Sequence, residues 1–206
     1  MNYSLRSALI PACPMRLIAA CILVCAGFPG WPAAAADPAA GALKTGVVAL
    51  LMRHATAPGG GDPPDMRIGD CASQRNLSDA GRLEAQRIGA HLKKLGLVPG
   101  EVLSSQWCRA RDTAQLAFGR TEDWEPLNSF LRNRETEPAQ TSAVLARIAR
   151  LRRGDRPLVL VTHQLIVTTV TGIFPESGEV VVVAPAGAKV RVIGSIKPAA
   201  ASGAAP

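Results

Sequence analysis

The sequence predicts an α/β fold, a three-layer α/β/α sandwich around a mostly parallel sheet. Three observations carry this expectation. Residues 46–52 (GVVALLM) and 158–162 (LVLVT) are continuous apolar runs, the pattern of strands buried on both faces. Between them, apolar residues recur at helical spacing: Ala85, Ile88, Leu92 and Leu95 on one segment, and Val144, Leu145, Ile148 and Leu151 on another. The resulting order, β-α-β-α-α-β-α-β-β, alternates as helical crossovers between parallel strands require. At 206 residues, 48% of them hydrophobic, the chain holds one domain with a core of ordinary size.

Taken in order, residues 1–36 read as a secretory signal. Arg6 and Arg16 precede a twelve-residue apolar run at 17–28, and Ala34 and Ala36 supply the small residues of a cleavage site after Ala36. Twelve residues rise about 18 Å as a helix, short of the roughly 30 Å hydrocarbon core, so no membrane attachment is expected after cleavage. Met15, directly before Arg16, is an alternative start. The domain then spans 37–197, with 37–45 as an Ala/Pro/Gly lead-in and 198–206 as a disordered tail.

The first strand is followed at 55–70 (ATAPGGGDPPDMRIGD) by a long exposed loop. Loops of this length without secondary structure of their own tend to be functional. Ser78 is the expected N-cap of a helix to Leu95, stopped by Gly96. A second strand at 101–105 leads into a helix at 109–118. Residues 119–137 read as irregular, and the helix striped by Val144 and Ile148 ends at Gly154. After the third strand, an apolar stretch runs as a helix from His163 to Gly172. Residues 180–184 and 188–194 form a hairpin around Pro185-Ala186-Gly187. No internal repeat is present.

Composition excludes several functions. Aromatic residues make up only 4% of the chain, too few for a stacking platform on single-stranded nucleic acid. Without residues 1–36 the chain carries 21 basic and 16 acidic residues, and the arginines are interspersed with acids (Arg132, Arg134, Glu135, Glu137) rather than gathered in a block. This is a solvated surface with a positive bias, equally suited to a small anionic substrate, and no nucleic-acid partner is expected. Of five cysteines only Cys71 and Cys108 lie beyond the signal. In an exported protein two cysteines form one disulfide or stay as two free thiols, and neither sits in the C-x-x-C pairing of a zinc site.

Open α/β sheets bind ligands at the carboxyl ends of their strands. The first strand ends in Arg53-His54, the second leads through Ser104-Ser105 to Arg109, and the third ends in His163. His91, the remaining histidine, falls mid-helix and reads as structural. A single histidine beside a strand is commonly just a hydrogen-bonded structural residue, and a single arginine commonly pairs with an acid. The combination says more: guanidinium forks suit phosphate oxygens, and a neutral imidazole can attack phosphorus without a metal.

These segments resemble the histidine phosphatase superfamily, the phosphoglycerate-mutase-like fold. Leu51-Met52-Arg53-His54-Ala55-Thr56 is similar to its R-H-G-T motif. Asn76-Leu77-Ser78-Asp79-Ala80-Gly81 with Gln86 is similar to L-T-x-x-G-x-x-Q-A. Ser104-Ser105-Gln106-Trp107-Cys108-Arg109-Ala110-Arg111-Asp112-Thr113-Ala114 is similar to S-S-x-x-x-R-A-x-x-T-A, and Val161-Thr162-His163-Gln164 to the V-x-H-G turn. The resemblance covers residues 46–172. It implies a phosphohistidine on His54, a phosphoryl group held by Arg53, Arg109 and His163, and a site lined by Thr56, Asn76 and Leu77. It implies no metal and no cofactor. Thr113 and Gln86 read as helix packing. Ala55 and Gln164 stand where the family has glycine, so both turns must accept a side chain.

The family's phosphoglycerate-mutase branch carries a general-acid glutamate after the second arginine. Among Glu122, Asp123, Glu125, Glu135 and Glu137, Glu135 is the candidate for that role, and Glu179 reads rather as a hairpin cap. Because Cys108 adjoins Arg109 and Cys71 ends the Gly/Pro loop, a Cys71–Cys108 disulfide tying that loop to the arginine is expected. With few bulky or charged groups on the loop, the pocket is expected to be open and weakly selective. The leading expectation is an exported phosphomonoesterase acting on a small phosphorylated substrate in the periplasm or outside the cell. The alternatives are a phosphohistidine phosphatase, a mutase (disfavoured by export and the short chain), a metal hydrolase using the two histidines, and a non-catalytic phosphate- or polyanion-binding protein. Neither the physiological substrate nor the oligomeric state is readable.

Overall fold

The computed structural model describes residues 37–198. The expected signal at 1–36 and the tail at 199–206 lie outside the described residues. Among the described residues, five helices pack on a six-stranded sheet of order β3-β2-β4-β1-β5-β6. Its strands are β1 (Ala49–Arg53), β2 (Val102–Ser104), β3 (Glu122–Asp123), β4 (Leu158–Thr162), β5 (Val180–Ala186) and β6 (Lys189–Ile196). The helices are α1 (Pro38–Thr45), α2 (Asp79–Lys94), α3 (Cys108–Phe118), α4 (Glu137–Ala149) and α5 (Gln164–Thr171). The pairings β1/β4, β2/β4 and β2/β3 are parallel, while β1/β5 and β5/β6 are antiparallel.

Side-chain alternation along the strands divides the core between two faces. Leu50, Met52, Val159, Val161, Val180 and Val182 pack with Ala39 and Leu43 of α1, Ile88 and Leu92 of α2, and Ala110 and Ala114 of α3. Ala49, Leu51, Leu158, Leu160, Val181 and Val183 pack with Val144 and Ile148 of α4 and Ile166 and Val167 of α5. The α/β/α sandwich is thus present, with central strands apolar on both sides.

Three local expectations change. The lead-in at 37–45 is helical: Asp37 accepts a hydrogen bond from the Ala39 amide at 2.9 Å, Pro38 occupies the first turn, and Ala39 and Leu43 bury one face under β6. The irregular segment after α3 contributes β3, a two-residue edge pairing with Leu103 and Ser104, and then two 3-10 turns at Glu125–Leu127 and Arg134–Thr136. The hairpin turns tighter than expected, at Gly187-Ala188, with Pro185 and Ala186 inside β5.

Two glycines bring helices close. A Cβ on Gly81, in the first turn of α2, would overlap the Thr56 carbonyl, and one on Gly89 would overlap the Ala117 backbone of α3. The first contact sets α2 against the chain leaving β1. Among the described residues no helix is long and apolar enough to cross a membrane.

Candidate active site

Strands β1 and β4 are neighbours in register, Arg53 opposite Thr162, and their chains leave the sheet at the same end. His54 and His163, the next residues, therefore stand side by side with ring centroids 5.4 Å apart. The β2 chain continues to Ser105, whose amide donates to the Val161 carbonyl at 2.9 Å, and then into α3, which delivers Arg109 from its first turn. His54, His163 and Arg109 are all buried. They line a cavity of about 450 Å³ together with Arg53, Arg75 and Asp62. The expected convergence of Arg53, His54, Arg109 and His163 at three strand ends is what the fold builds.

The hydrogen bonds assign both tautomers. The Nδ1–H of His54 donates to its neighbour's carbonyl, Ala55 O, at 2.8 Å, so Nε2 carries the lone pair and accepts from Arg109 Nε–H at 3.1 Å. On His163, Nδ1 faces Arg109 Nη2 at 3.4 Å, and an arginine can only donate. Its Nε2–H therefore donates to Ser105 Oγ at 2.8 Å, and Ser105 donates in turn to Asn128 Oδ1 at 3.2 Å. Burial, then the charge of Arg109, lowers the His54 imidazole to about 3. Burial and the neighbouring His54 and Arg109 hold His163 well below the ordinary histidine value. Both rings are neutral near pH 7.

Arg109 is the hub. Its guanidinium grips Asp62 with two parallel bonds, Nη1 to Oδ1 at 2.7 Å and Nη2 to Oδ2 at 3.1 Å. Burial pushes the Asp62 carboxyl up, but the hydrogen bond and charge of Arg109 outweigh it and hold the group below the usual carboxylate range. Arg53 Nη1 donates to the Pro175 carbonyl at 2.9 Å. The Nε atoms of Arg53 and Arg75, two residues of the cavity wall, are buried with no hydrogen-bond partner.

Thr113 does more than pack. It accepts from the Ala55 amide at 3.0 Å and donates to the Arg109 carbonyl at 2.7 Å, locking the chain after His54 to the helix that carries Arg109. Cys71 and Cys108 form the expected disulfide, with Cα atoms 5.7 Å apart. The loop is pinned again from the far side, where Arg132 donates to the Asp62, Pro63 and Pro64 carbonyls. Held at both ends, it walls the cavity with Asp62 and Met66, alongside Trp107, Leu131 and Leu165. Ala55 is fully buried in a small cluster with Leu77 and Ala85, and Gln164 starts α5 at the cavity wall, so both turns accept their side chains.

Four expected positions fall elsewhere. Glu135 lies exposed in the 3-10 turn Arg134–Thr136 and lines no part of the cavity. The chain passes the cavity with Ser129, Leu131, Arg132 and Asn133 and turns away before reaching it. Thr56, Asn76 and Leu77 do not reach the cavity wall either. The Thr56 amide caps onto Glu84 Oε2 at 2.8 Å, the Asn76 side chain donates to the Cys71 carbonyl at 2.6 Å, and Leu77 is buried beneath. Glu179 accepts from the Glu176 amide at 2.9 Å, closing the turn before β5.

In their place the structure supplies Asp62 and Arg75. Arg75 directly precedes the Asn76-Leu77 segment, and that adjacency was the available signal. Asp62 sits in a Gly/Pro loop without periodicity, and nothing in the sequence singles it out. Among the described residues no cluster of three or more His, Cys, Asp or Glu side chains is arranged to hold a metal.

Neither a family model nor a curated protein matches the chain. Solved structures do. The protein histidine phosphatase SixA, complexed with tungstate, aligns over 73% of this chain and 97% of its own at 16% identity, with a TM-score of 0.52. YhfR of Bacillus stearothermophilus aligns over 71% and 95% at 16% identity, with a TM-score of 0.50. A mycobacterial glucosyl-3-phosphoglycerate phosphatase, complexed with VO3, aligns over 70% and 96% at 14% identity, with a TM-score of 0.50. Through the sheet order, the helices on both faces and these alignments, the chain has the phosphoglycerate-mutase-like fold of the histidine phosphatases.

Proposed function

We propose that this domain is a metal-independent phosphatase that cleaves phosphomonoesters through a phosphohistidine on His54, within a protein exported to the periplasm or beyond the cell. The observation that carries the reading is the state of His54: a buried neutral imidazole whose Nδ1–H is tied to Ala55 O and whose Nε2 lone pair points at Arg109. A nucleophile needs that lone pair, and phosphoryl transfer needs fixed positive charge around the equatorial oxygens. Arg53, Arg75 and Arg109 supply the charge. In the first step Nε2 bonds to phosphorus as the P–O bond to the ester oxygen breaks, and the departing oxygen takes a proton from water, leaving hydroxide. In the second, water attacks phosphorus as the P–Nε2 bond breaks and its electron pair returns to Nε2; phosphate is released, and the proton lost by the attacking water neutralises the hydroxide. Tungstate and VO3, found in two structures of the same fold, are phosphoryl-like anions and support such an occupant. The disulfide and the apolar run at 17–28 support export.

A second reading, a phosphohistidine phosphatase, is favoured by one observation. The only carboxylate among the described cavity-lining residues, Asp62, is held ionised by Arg109, leaving no proton donor for a poor leaving group. From a phosphohistidine substrate the departing group is an imidazole, a good one.

The test is p-nitrophenyl phosphate hydrolysis in EDTA by wild type and His54→Ala, with acid-labile, base-stable phosphoenzyme trapped on quenching. Activity and phosphoenzyme lost together in His54→Ala are expected. Retained turnover in that variant would refute the covalent mechanism, and loss of activity in EDTA would favour a metal hydrolase.

A further inference from the structure

We infer that Asp62 is a built-in occupant of the phosphoryl site, a loop carboxylate that a phosphoryl group must displace from Arg109, and hence the residue that sets the site's affinity. The inference deepens the proposed function and rests on it.

It starts from a count of donors. A guanidinium has five N–H bonds. On Arg109, Nε–H goes to His54 Nε2 at 3.1 Å. Nη1 reaches Asp62 Oδ1 at 2.7 Å and the Arg75 carbonyl at 3.3 Å. Nη2 reaches Asp62 Oδ2 at 3.1 Å and His163 Nδ1 at 3.4 Å. Every donor of the arginine best placed to hold a phosphoryl group is in use, and the two short charged bonds go to one carboxylate.

The carboxylate imitates the expected ligand. Two oxygens in a bidentate fork are how a guanidinium binds carboxylate and phosphate alike. Asp62 also accepts from the Trp107 indole Nε1–H at 3.1 Å and from the Arg75 amide at 3.1 Å, so four donors converge on it. The pair is shielded, with side-chain exposures of 12% for Asp62 and 4% for Arg109. A dianionic phosphoryl group brings a second charge and a third oxygen, and Arg53 and Arg75 line the same cavity to meet them.

The pinned loop still carries a hinge beside Asp62. Gly59, Gly60 and Gly61 immediately precede Asp62; Gly59 has φ +99°, and nothing approaches a Cβ position at Gly60 or Gly61. On the other side Arg132, an exposed side chain, is the tether on the Asp62, Pro63 and Pro64 carbonyls. Rotation of Asp62, or a swing of the loop on the three glycines, uncovers the fork.

A binding-competent state populated as a minor fraction weakens apparent affinity by that fraction. With minor states commonly between about 0.1% and 10%, removing the internal competitor should tighten binding roughly 10- to 1000-fold.

The test is calorimetric titration of inorganic phosphate into wild type, Asp62→Asn, Arg132→Ala and Arg109→Ala, with turnover measured beside it. Asp62→Asn is expected to bind phosphate at least about tenfold more tightly than wild type. Arg132→Ala cuts the tether at the cavity wall and leaves the Arg109–Asp62 fork intact, so it keeps the test decisive should Asp62→Asn fail to fold. It is expected to tighten binding by a smaller factor, whereas loss of a directly bound cation would weaken it. Arg109→Ala is expected to abolish binding. Turnover by wild type together with unchanged or weaker phosphate binding in Asp62→Asn and Arg132→Ala would overturn the role of Asp62 and leave the phosphatase reading standing. Absence of phosphate binding in wild type and both loop variants would overturn both.

Discussion

Acidification tests the electrostatics of the site most directly. At pH 5 a histidine with the ordinary value near 6.5 is only about 3% neutral. His54, held at about 3 by burial and Arg109, remains about 99% neutral at the same pH. The nucleophile therefore keeps its lone pair through the acid range. The same shift appears in stability. The native state refuses the proton that the unfolded chain takes up, so the His54 contribution is complete above pH 6.5 and is lost as pH falls from 6.5 toward 3. Between pH 7 and 5 that loss amounts to about 2 kcal/mol, or roughly 4–8 °C in Tm for a domain of this size. His163, lowered in the same direction, adds to it. Asp62, shifted below the usual carboxylate range, loses its contribution only at lower pH. The assay is an NMR titration of the imidazole Cε1–H resonances. The His54 signal is expected to stay flat from pH 8 to 5 while Tm falls. A His54 resonance with a midpoint near 6.5 would refute the argument.

Three further outcomes follow from packing. Reducing Cys71–Cys108, or replacing both cysteines with serine, opens a closure spanning 37 residues. By loop entropy this costs about 4 kcal/mol, seen as a Tm drop of roughly 8–16 °C in calorimetry with and without reductant. Gly89→Ala places a methyl group into the Ala117 backbone. Despite a helix-propensity gain of about 1 kcal/mol it should destabilise by roughly 1–3 kcal/mol, read as a lower urea midpoint; a stabilised variant would mean α2 and α3 are not in that contact. Thr113→Val leaves the buried Ala55 amide without its acceptor. A cost of about 1–3 kcal/mol is expected together with a fall in kcat, and full activity would show that His54 and Arg109 are positioned without it.

What was legible in the sequence and what was not divides on physical grounds. Strands buried on both faces announce themselves as apolar runs, and a ligand site at their carboxyl ends follows from topology. Arg53, His54 and His163 were therefore findable from the residue that ends each run. Arg109 followed from the helix start after β2, and the disulfide from the two cysteines beyond the signal, Cys71 at the end of the loop and Cys108 beside Arg109. The segment at 37–45 hid its helix because Ala, Pro and Gly read as linker, although Asp37-Pro38 was an available N-cap signal. β3 is two exposed residues paired only through their backbone, a pattern without side-chain signature. Glu135 was misplaced because position after Arg109 in the chain says nothing about which way a 3-10 turn faces. Thr56, Asn76 and Leu77 were misplaced because adjacency to the motif does not separate a cavity wall from its scaffold. Asp62 is the sharpest case: its partner is 47 residues away, and no local rule connects them.

One choice at His54 explains the rest of the site. A histidine base in a triad is oriented by a carboxylate on Nδ1, which stabilises the imidazolium it must become. A histidine nucleophile needs the opposite, a ring that stays unprotonated until it meets phosphorus. Here Nδ1–H is fixed by the Ala55 carbonyl, which selects the tautomer without adding negative charge. Burial, then the charges of Arg109, Arg75 and Arg53, lower the imidazole despite that bond. The same guanidinium charges serve both requirements, suppressing the proton on Nε2 and attracting the phosphoryl oxygens. Such a buried cationic cluster is unfavourable when it stands alone, because burial disfavours every charge in it. Among the described residues only one carboxylate lines the cavity, and it sits on Arg109 rather than on His54. Moved to Nδ1 of His54, a carboxylate would raise the imidazole and protonate the nucleophile. Placed on the arginine, it neutralises the cluster and leaves the lone pair untouched.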